Sequence, residues 1–422
     1  MSHLPPRAKL GVLVIAVALV LGGAVYVLFL RGGEKPNVAA GSRFGGEDER
    51  GGGGTLLDAL APVLGARQGS RRTGSDPAPP TAEELGRAPA DAVASLFLVG
   101  FRGTDPNTSF FGRLGARPFG GVILSRANYD GPQSITALTG QIQDVARAAG
   151  HPAPIVAAQQ EGGDFSAFPN LEPRAQADVG LGRRAAIAQT ALNAARQLAA
   201  LGVGVNLAPN ADIAVAGGPG QGRAFADQAA KVTTAVKASV AAHRRAGVAA
   251  AVGPFPGDGA ASQDPSAGPA PVGLSLEDLR DADMKPFAAV ATGSGAAAAM
   301  QMSNAIYIAY DSVTPATLLP EAIKELRDRL GFKGAIISAD LVATTATTGG
   351  SVGEAAVDAL KAGADMLLVP GGRAQQDEAY RAVVAAVRNR SISPERVVEA
   401  LQRIAGLRRA TRETRDPIRP QT

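Results

Sequence analysis

From residue 93 onward, short apolar runs alternate with longer stretches whose polar residues recur at helical spacing. The runs are "VASLFLVGF" (93–101), "GVILS" (121–125), "APIVAAQQ" (153–160), "VGVNLAP" (203–209), "AAAVGPFP" (249–256), "AAAAMQMS" (296–303), "GAIISAD" (334–340) and "MLLVP" (366–370). Each is short and mainly apolar, the pattern of a strand buried on both faces. Between them lie segments such as "AAIAQTALNAARQLAALG" and "DQAAKVTTAVKASVAAHRRAG", amphipathic and closed by a glycine suited to a helix C-cap. Eight such strands, each followed by a helix, predict an α/β fold of the (β/α)8 TIM-barrel type. An open doubly wound sheet is the alternative, but "VGFRGTD" after the first strand lacks the glycine spacing of a dinucleotide turn.

Ahead of this pattern, Leu10 to Leu30 contains no charged residue. At helical rise it is long enough to cross a bilayer, so it is expected to be a transmembrane anchor, a cleaved signal peptide being the alternative. Residues 31–85 are rich in Gly, Pro and charge ("GGEDERGGGG", "RQGSRRTGSDPAPPT"), the composition of a disordered linker. The expected organisation is therefore a tail (1–9), an anchor (10–30), a linker (31–85), a barrel (86–410) and a basic tail (411–422). Positive charge ahead of the apolar run favours an inside N-terminus, which predicts a single-pass cell-membrane protein with its barrel extracytoplasmic.

Charge and composition narrow the chemistry. The pI near 9.5 comes from the two tails. Residues 1–80 and 408–422 together carry a net +6, which leaves −2 on the body between them. Nucleic-acid recognition needs cations clustered on a folded face, so no nucleic-acid partner is expected. With no Cys and only His3, His151 and His243, disulfides and thiolate metal sites are excluded, and neither metal nor cofactor is expected.

In a barrel of this type chemistry gathers at the carboxyl ends of the strands. Those ends carry Arg102 to Asp105, Arg126 and Asn128, Gln159 to Asp164, Asn210 and Asp212, Asp258 and Asp264, Ser303 and Asn304, Ser338 to Asp340, and Pro370 to Arg373. Taken in order, "LVGFRGTD", "GGVILSRAN", "QQEGGDF", "LGVGVNLAPNADI", "GRAF", "FPGDG", "LRDRLGFKGAIISADL" and "ALKAGADMLLVP" resemble the barrel domain of glycoside hydrolase family 3, most nearly its bacterial β-N-acetylhexosaminidase branch, over roughly residues 85–410.

That resemblance implies a retaining hydrolase removing terminal N-acetylglucosamine from cell-wall or related glycans, with an attacking Asp and a His proton donor paired with an Asp. The residues depart from it. In "SADL" the nucleophile position falls on Ala339, and the adjacent Asp340 is expected to point to the other side of the strand, held in hydrogen bonds. Where the family reads K-H-F-P-G-H-G and then D-S-H, this chain has Gly253, Pro254, Phe255, Pro256, Gly257, Asp258, Gly259, and then Asp264, Pro265, Ser266. The donor has become Ser266, and Asp264 is left with no His to orient. The family's D-Q-E-G-G-R is Gln159, Gln160, Glu161, Gly162, Gly163, Asp164 here, and Asn304 replaces another expected His. Arg223 in "GRAF" and Asp212 match family positions; Arg223 is balanced between ligand contact and a structural ion pair, whereas Asp212 and Glu161 read first as structural.

Three functions compete. The first is an inactive, membrane-tethered barrel that binds an N-acetylglucosamine-containing glycan or a cell-envelope protein, with Arg223, Gln159, Glu161, Asp164, Asp212 and Asn304 as contacts. The second is a glycosidase with relocated carboxylates drawn from Asp258, Asp264, Asp340, Asp164 and Glu161, two of them about 5 to 5.5 Å apart for retention or about 6.5 to 9.5 Å for inversion. The third is a scaffold without a sugar site.

Overall fold

The computed structural model describes residues 78–172 and 174–411. Eight strands, Phe97–Gly100 (β1), Gly121–Leu124 (β2), Ile155–Ala158 (β3), Val205–Asn206 (β4), Ala249–Phe255 (β5), Ala299–Met302 (β6), Ala335–Ile337 (β7) and Leu367–Val369 (β8), each fall inside one of the eight apolar runs. They pair in parallel in the order β7-β6-β5-β4-β3-β2-β1-β8. A parallel bridge between Ile337 and Met366 joins the two ends, with Ser338 N donating to Met366 O at 2.9 Å. The sheet is thus a nearly closed eight-stranded parallel barrel. Its strands are apolar apart from Asn206 and Gln301 because they are covered twice, by the interior and by the surrounding helices.

The regular strands are shorter than the runs that announce them. Val93 and Ala94 open the first run, yet they belong to the helix Ala90–Ala94 and are buried there, so the run is half helix cap and half strand. Of 203–209 only Val205 and Asn206 are regular, and the remainder turns into the rim through a cis Ala208–Pro209 bond.

The helices follow the expected periodicity. In Ala229–Ala246 the buried positions include Val232, Ala235, Val236, Ser239, Val240 and His243, one face repeating every three or four residues. Gly247 ends it at φ 78°, a left-handed conformation open to glycine at little cost. His243 is a core residue: its Nδ1 lies 2.9 Å from Ser239 O and its Nε2 3.0 Å from Asn206 Nδ2, and burial pulls its pKa down. The helix Ala82–Arg87 overlaps the end of the segment read as linker; Thr81 and Glu84 form its capping box and Leu85 packs into the core.

At the foot of the barrel, Asp365 is fully buried just ahead of β8. It accepts from Arg327 Nη2 at 2.5 Å, Arg396 Nη2 at 2.9 Å, Arg403 Nη1 at 3.1 Å and Ile336 N at 2.9 Å. Arg396 and Arg403 sit on the helix Pro394–Ala410, which this carboxylate fastens across the base of the barrel. Among the described residues no helix is long and apolar enough to cross a membrane. The Leu10–Leu30 run and the 412–422 tail lie outside the described residues.

Candidate functional site

The loop after β3 folds back as a short antiparallel pair, Gln160–Gly162 with Phe165–Ser166, and its turn carries Asp164 into solvent. Gln160 is anchored below by Asn206, whose side chain accepts from Gln160 N at 2.9 Å and donates to Gln160 O at 3.1 Å. This fixes Glu161 inside the rim, where it accepts from Gln159 Nε2 at 2.7 Å and from Arg223 through Nε and Nη2, both at 2.5 Å. Such a bidentate pair is planar and charge-assisted, and Arg223 also lies 5.1 Å from the centre of the Phe165 ring. Burial would lower the Arg223 pKa, but the charge of Glu161 outweighs it and holds the guanidinium above its ordinary value. Both Glu161 and Arg223 therefore have a full structural role, with Arg223 keeping a partly exposed edge.

The loop after β5 is clamped to the loop after β4. A Cβ on Gly259 would stand 1.9 Å from Ile213 O, so only glycine admits this approach. The clamp brings Asp258 N within 2.6 Å of Asp212 Oδ1, while Asn210 Nδ2 donates to Asp212 Oδ2 at 2.8 Å. Tyr307 Oη lies 2.8 Å from Asp258 Oδ1, and Ser303 Oγ donates to the same oxygen. Asp283 comes from a π turn, Leu279–Asp283, that packs against Gly257. Asp212, Asp258 and Asp283 are all nearly sealed from solvent.

Glu161, Asp212 and Asp258 surround the single guanidinium of Arg223, and Asp283 adds a fourth buried carboxyl group that feels the charge of Asp212; such a set cannot all be ionised at low cost. Burial pushes Asp258 up to about 7, helped by the charge of Asp212 and opposed by the Ser303 and Tyr307 bonds. Burial likewise raises Asp212 to about 6 against the pull of Arg223, and raises Asp283 to about 6 with help from Asp212. Of the three, Asp258 keeps its proton closest to neutral pH. Among the described residues no group of His, Cys, Asp and Glu has the arrangement of a metal site.

At the end of β7, Ala339 is buried and its N donates to Thr317 Oγ1 at 3.0 Å. The next residue, Asp340, caps the helix Leu341–Thr348 by accepting from Val342 N at 2.8 Å and Ala343 N at 3.2 Å. Thr344 Oγ1 donates within reach of both Asp340 O and Asn304 Oδ1, tying Asn304 to the same helix. Asp264 differs from expectation. It is not idle: its Oδ1 accepts from both the backbone N of Ser266 at 2.9 Å and the Ser266 hydroxyl at 2.8 Å, an Asx turn at an exposed position.

The rim residues thus fall into separate sets: Gln159, Glu161 and Arg223; Asp212 with Asp258; Asp264 with Ser266; Asn304 beside Asp340. Sequence reasoning missed Tyr307 and Asp283. Neither stands at the end of a barrel strand, and no local sequence signal marks either.

The family model for the glycosyl hydrolase family 3 N terminal domain matches residues 94–407. An uncharacterized secreted glycosyl hydrolase of Arthroderma benhamiae is 31% identical over 340 residues, covering 76% of this chain and 95% of its own. A beta-hexosaminidase of Methylococcus capsulatus is 32% identical over 312 residues, 71% of this chain and 87% of its own. Among solved structures, a family 3 beta-N-acetylglucosaminidase from Paenibacillus sp. aligns with TM-score 0.72 at 27% identity, covering 79% of this chain and 64% of that one, so the chain spans less than two thirds of that enzyme. The beta-N-acetylhexosaminidase from Beutenbergia cavernae aligns with TM-score 0.69 at 27% identity, over 75% of this chain and 96% of that one.

Proposed function

The chain belongs to glycoside hydrolase family 3, and we propose that it is a member that binds an N-acetylglucosamine-containing envelope glycan without cleaving it, tethered to the membrane through residues 10–30. The observation that carries this reading is the buried methyl of Ala339 beside an Asp340 carboxylate that caps a helix. A glycosyl ester needs an attacking oxygen, and a capping carboxylate must abandon two backbone N–H groups to become one. The exposed Ser266 hydroxyl is a poor proton donor near neutral pH, because its acidity lies far from the working range. Loss of either group in an active enzyme already removes orders of magnitude in rate. The beta-hexosaminidase and beta-N-acetylglucosaminidase names of the relatives support the choice of glycan.

A second reading, hydrolysis with relocated carboxylates, is favoured by one feature of the site: Asp258 is buried against Asp212, which pushes its pKa up to about 7, the range in which a general acid works. One assay separates the two. The full-length protein incubated with a chromogenic N-acetylglucosaminide releases no more than buffer, while N-acetylglucosamine oligomers raise its melting temperature by binding the folded state. Turnover that disappears in Asp258→Asn would replace the binding reading with the catalytic one.

A further inference from the structure

On the opposite flank of the mouth, between the ends of β1, β2, β7 and β8, lies a cavity of about 740 Å³ whose wall includes Phe101, Arg102, Phe110, Arg113, Asp340 and Arg373. Two buried amides frame it. Gln376 Nε2 lies 2.7 Å from Gly100 O and 2.6 Å from Gly371 O, while its Oε1 accepts from Arg113 Nη1 at 3.0 Å. Asn128 Nδ2 lies 3.1 Å from Phe101 O and 2.9 Å from Gly103 O, and its Oδ1 accepts from Ser125 N at 2.9 Å. The loops after β1, β2 and β8 are thereby fixed to one another, so the cavity is preformed.

Its charge is one-sided. Asp377 serves Arg113, Arg117 and Arg373 at once. Asp340 faces the cavity, but both of its short contacts go to backbone N–H groups of its own helix. Asp105, on the loop after β1, turns to Asn107 N at 2.8 Å. Arg102 is exposed on the wall. The wall therefore carries three guanidiniums, Arg102, Arg113 and Arg373, and one carboxylate, Asp340, while Asp377 behind it is shared among Arg113, Arg117 and Arg373. Burial together with the neighbouring Arg373 and Arg117 draws the Arg113 pKa down despite Asp377. Beside the cations the Phe101 ring, partly exposed, is stacked on Phe110 with centroids 4.4 Å apart. An aromatic face next to planar cations that outnumber the carboxylates serving them suits a ring with an apolar face and a carboxylate or phosphate substituent.

We propose that this cavity binds an anionic saccharide, a sugar ring bearing a carboxylate or a phosphate, held by Arg102 and Arg373 with its apolar face on Phe101. The proposal rests on the glycan-binding reading and adds to it a second, charged subsite. The test is isothermal titration of the full-length protein, in detergent, with glucuronic acid, glucose 6-phosphate, glucose and inorganic phosphate. At least one anionic sugar binds at one site per chain; glucuronic acid alone marks a carboxylate site, glucose 6-phosphate alone a phosphate site. The double variant Arg102→Gln/Arg373→Gln, both exposed, weakens that binding roughly tenfold or more, as expected for the loss of charge-assisted hydrogen bonds. Its melting temperature without ligand stays at the parent value. Phe101→Ala weakens sugar binding as well.

Failure of both anionic sugars to bind, glucose or inorganic phosphate binding as tightly as they do, or a double variant binding undiminished would each overturn the proposal. Titration with N-acetylglucosamine oligomers runs in parallel. Oligomer binding without anionic-sugar binding discards this subsite and leaves the glycan-binding reading standing; anionic-sugar binding without oligomer binding does the reverse.

Discussion

The two ends of the barrel handle buried charge in opposite ways. At the base, the Asp365 carboxylate meets three guanidiniums and a backbone N–H, and Glu399 adds a second anion beside Arg396 and Arg403. At the mouth, three carboxyl groups share Arg223 while Asp283 crowds Asp212 without a cation of its own, and burial raises the affinity of the aspartates for protons. The first arrangement is a complete ion network and serves to hold a helix across the sheet. The second is left under-compensated. In parallel barrels stability is concentrated at the amino-terminal face and chemistry at the carboxyl-terminal face, and here that division can be read in the charge balance alone.

Removing Asp365 tests the base and carries the largest expected effect. Asp365→Asn leaves Arg327, Arg396 and Arg403 without their shared anion, and breaking a buried network in this way costs about 3 to 5 kcal/mol. Equilibrium denaturant unfolding reads it directly; a loss below 1 kcal/mol would mean that the base and mouth do not differ as described.

The mouth is tested by pH. Asp212, Asp258 and Asp283 titrate in the folded chain near 6 to 7, against about 3.9 for an unfolded Asp. Between these values the folded state binds more protons than the unfolded one. Their contribution to stability is therefore complete below pH 4 and is lost as pH rises through 6 to 7. Asp258→Asn removes the largest part, so the variant is less sensitive to pH between 5 and 8 and gains on the parent at pH 8. Melting curves across that range check it, and a parent that is more stable at pH 8 than at pH 5 would reverse the sign. The smallest effect belongs to the helix cap: Asp340→Ala costs about 1 kcal/mol, as caps usually do, and leaves glycosidase activity at background.

The strands are legible in the sequence because a strand covered on both faces must be apolar along its whole length, and eight such runs leave few architectures. Their ends are less so. The run at 203–209 yields only two regular residues, since cis Pro209 and the rim hydrogen bonds that begin at Leu207 depend on neighbouring strands. At the site, the helix-capping role of Asp340 follows from its place just before a helical segment, a local signal. The bond from Tyr307 to Asp258 joins residues 49 apart in the chain, and the approach of Asp283 to Gly257 depends on a π turn; neither leaves a local trace. Asp264 illustrates the same limit in reverse: reading it as a partner for a missing His, or as a relocated carboxylate, concealed the turn it makes with Ser266.

Phe97 in β1 pairs with Leu367 in β8, so one edge of the first strand is filled by the last. A ribosome must therefore deliver nearly the whole barrel before β1 has its second neighbour, and until then an apolar strand edge stands open to any chain nearby. The last strand is the keystone: truncation just before residue 366 removes a small share of the mass but leaves an unfinished arc in place of a ring.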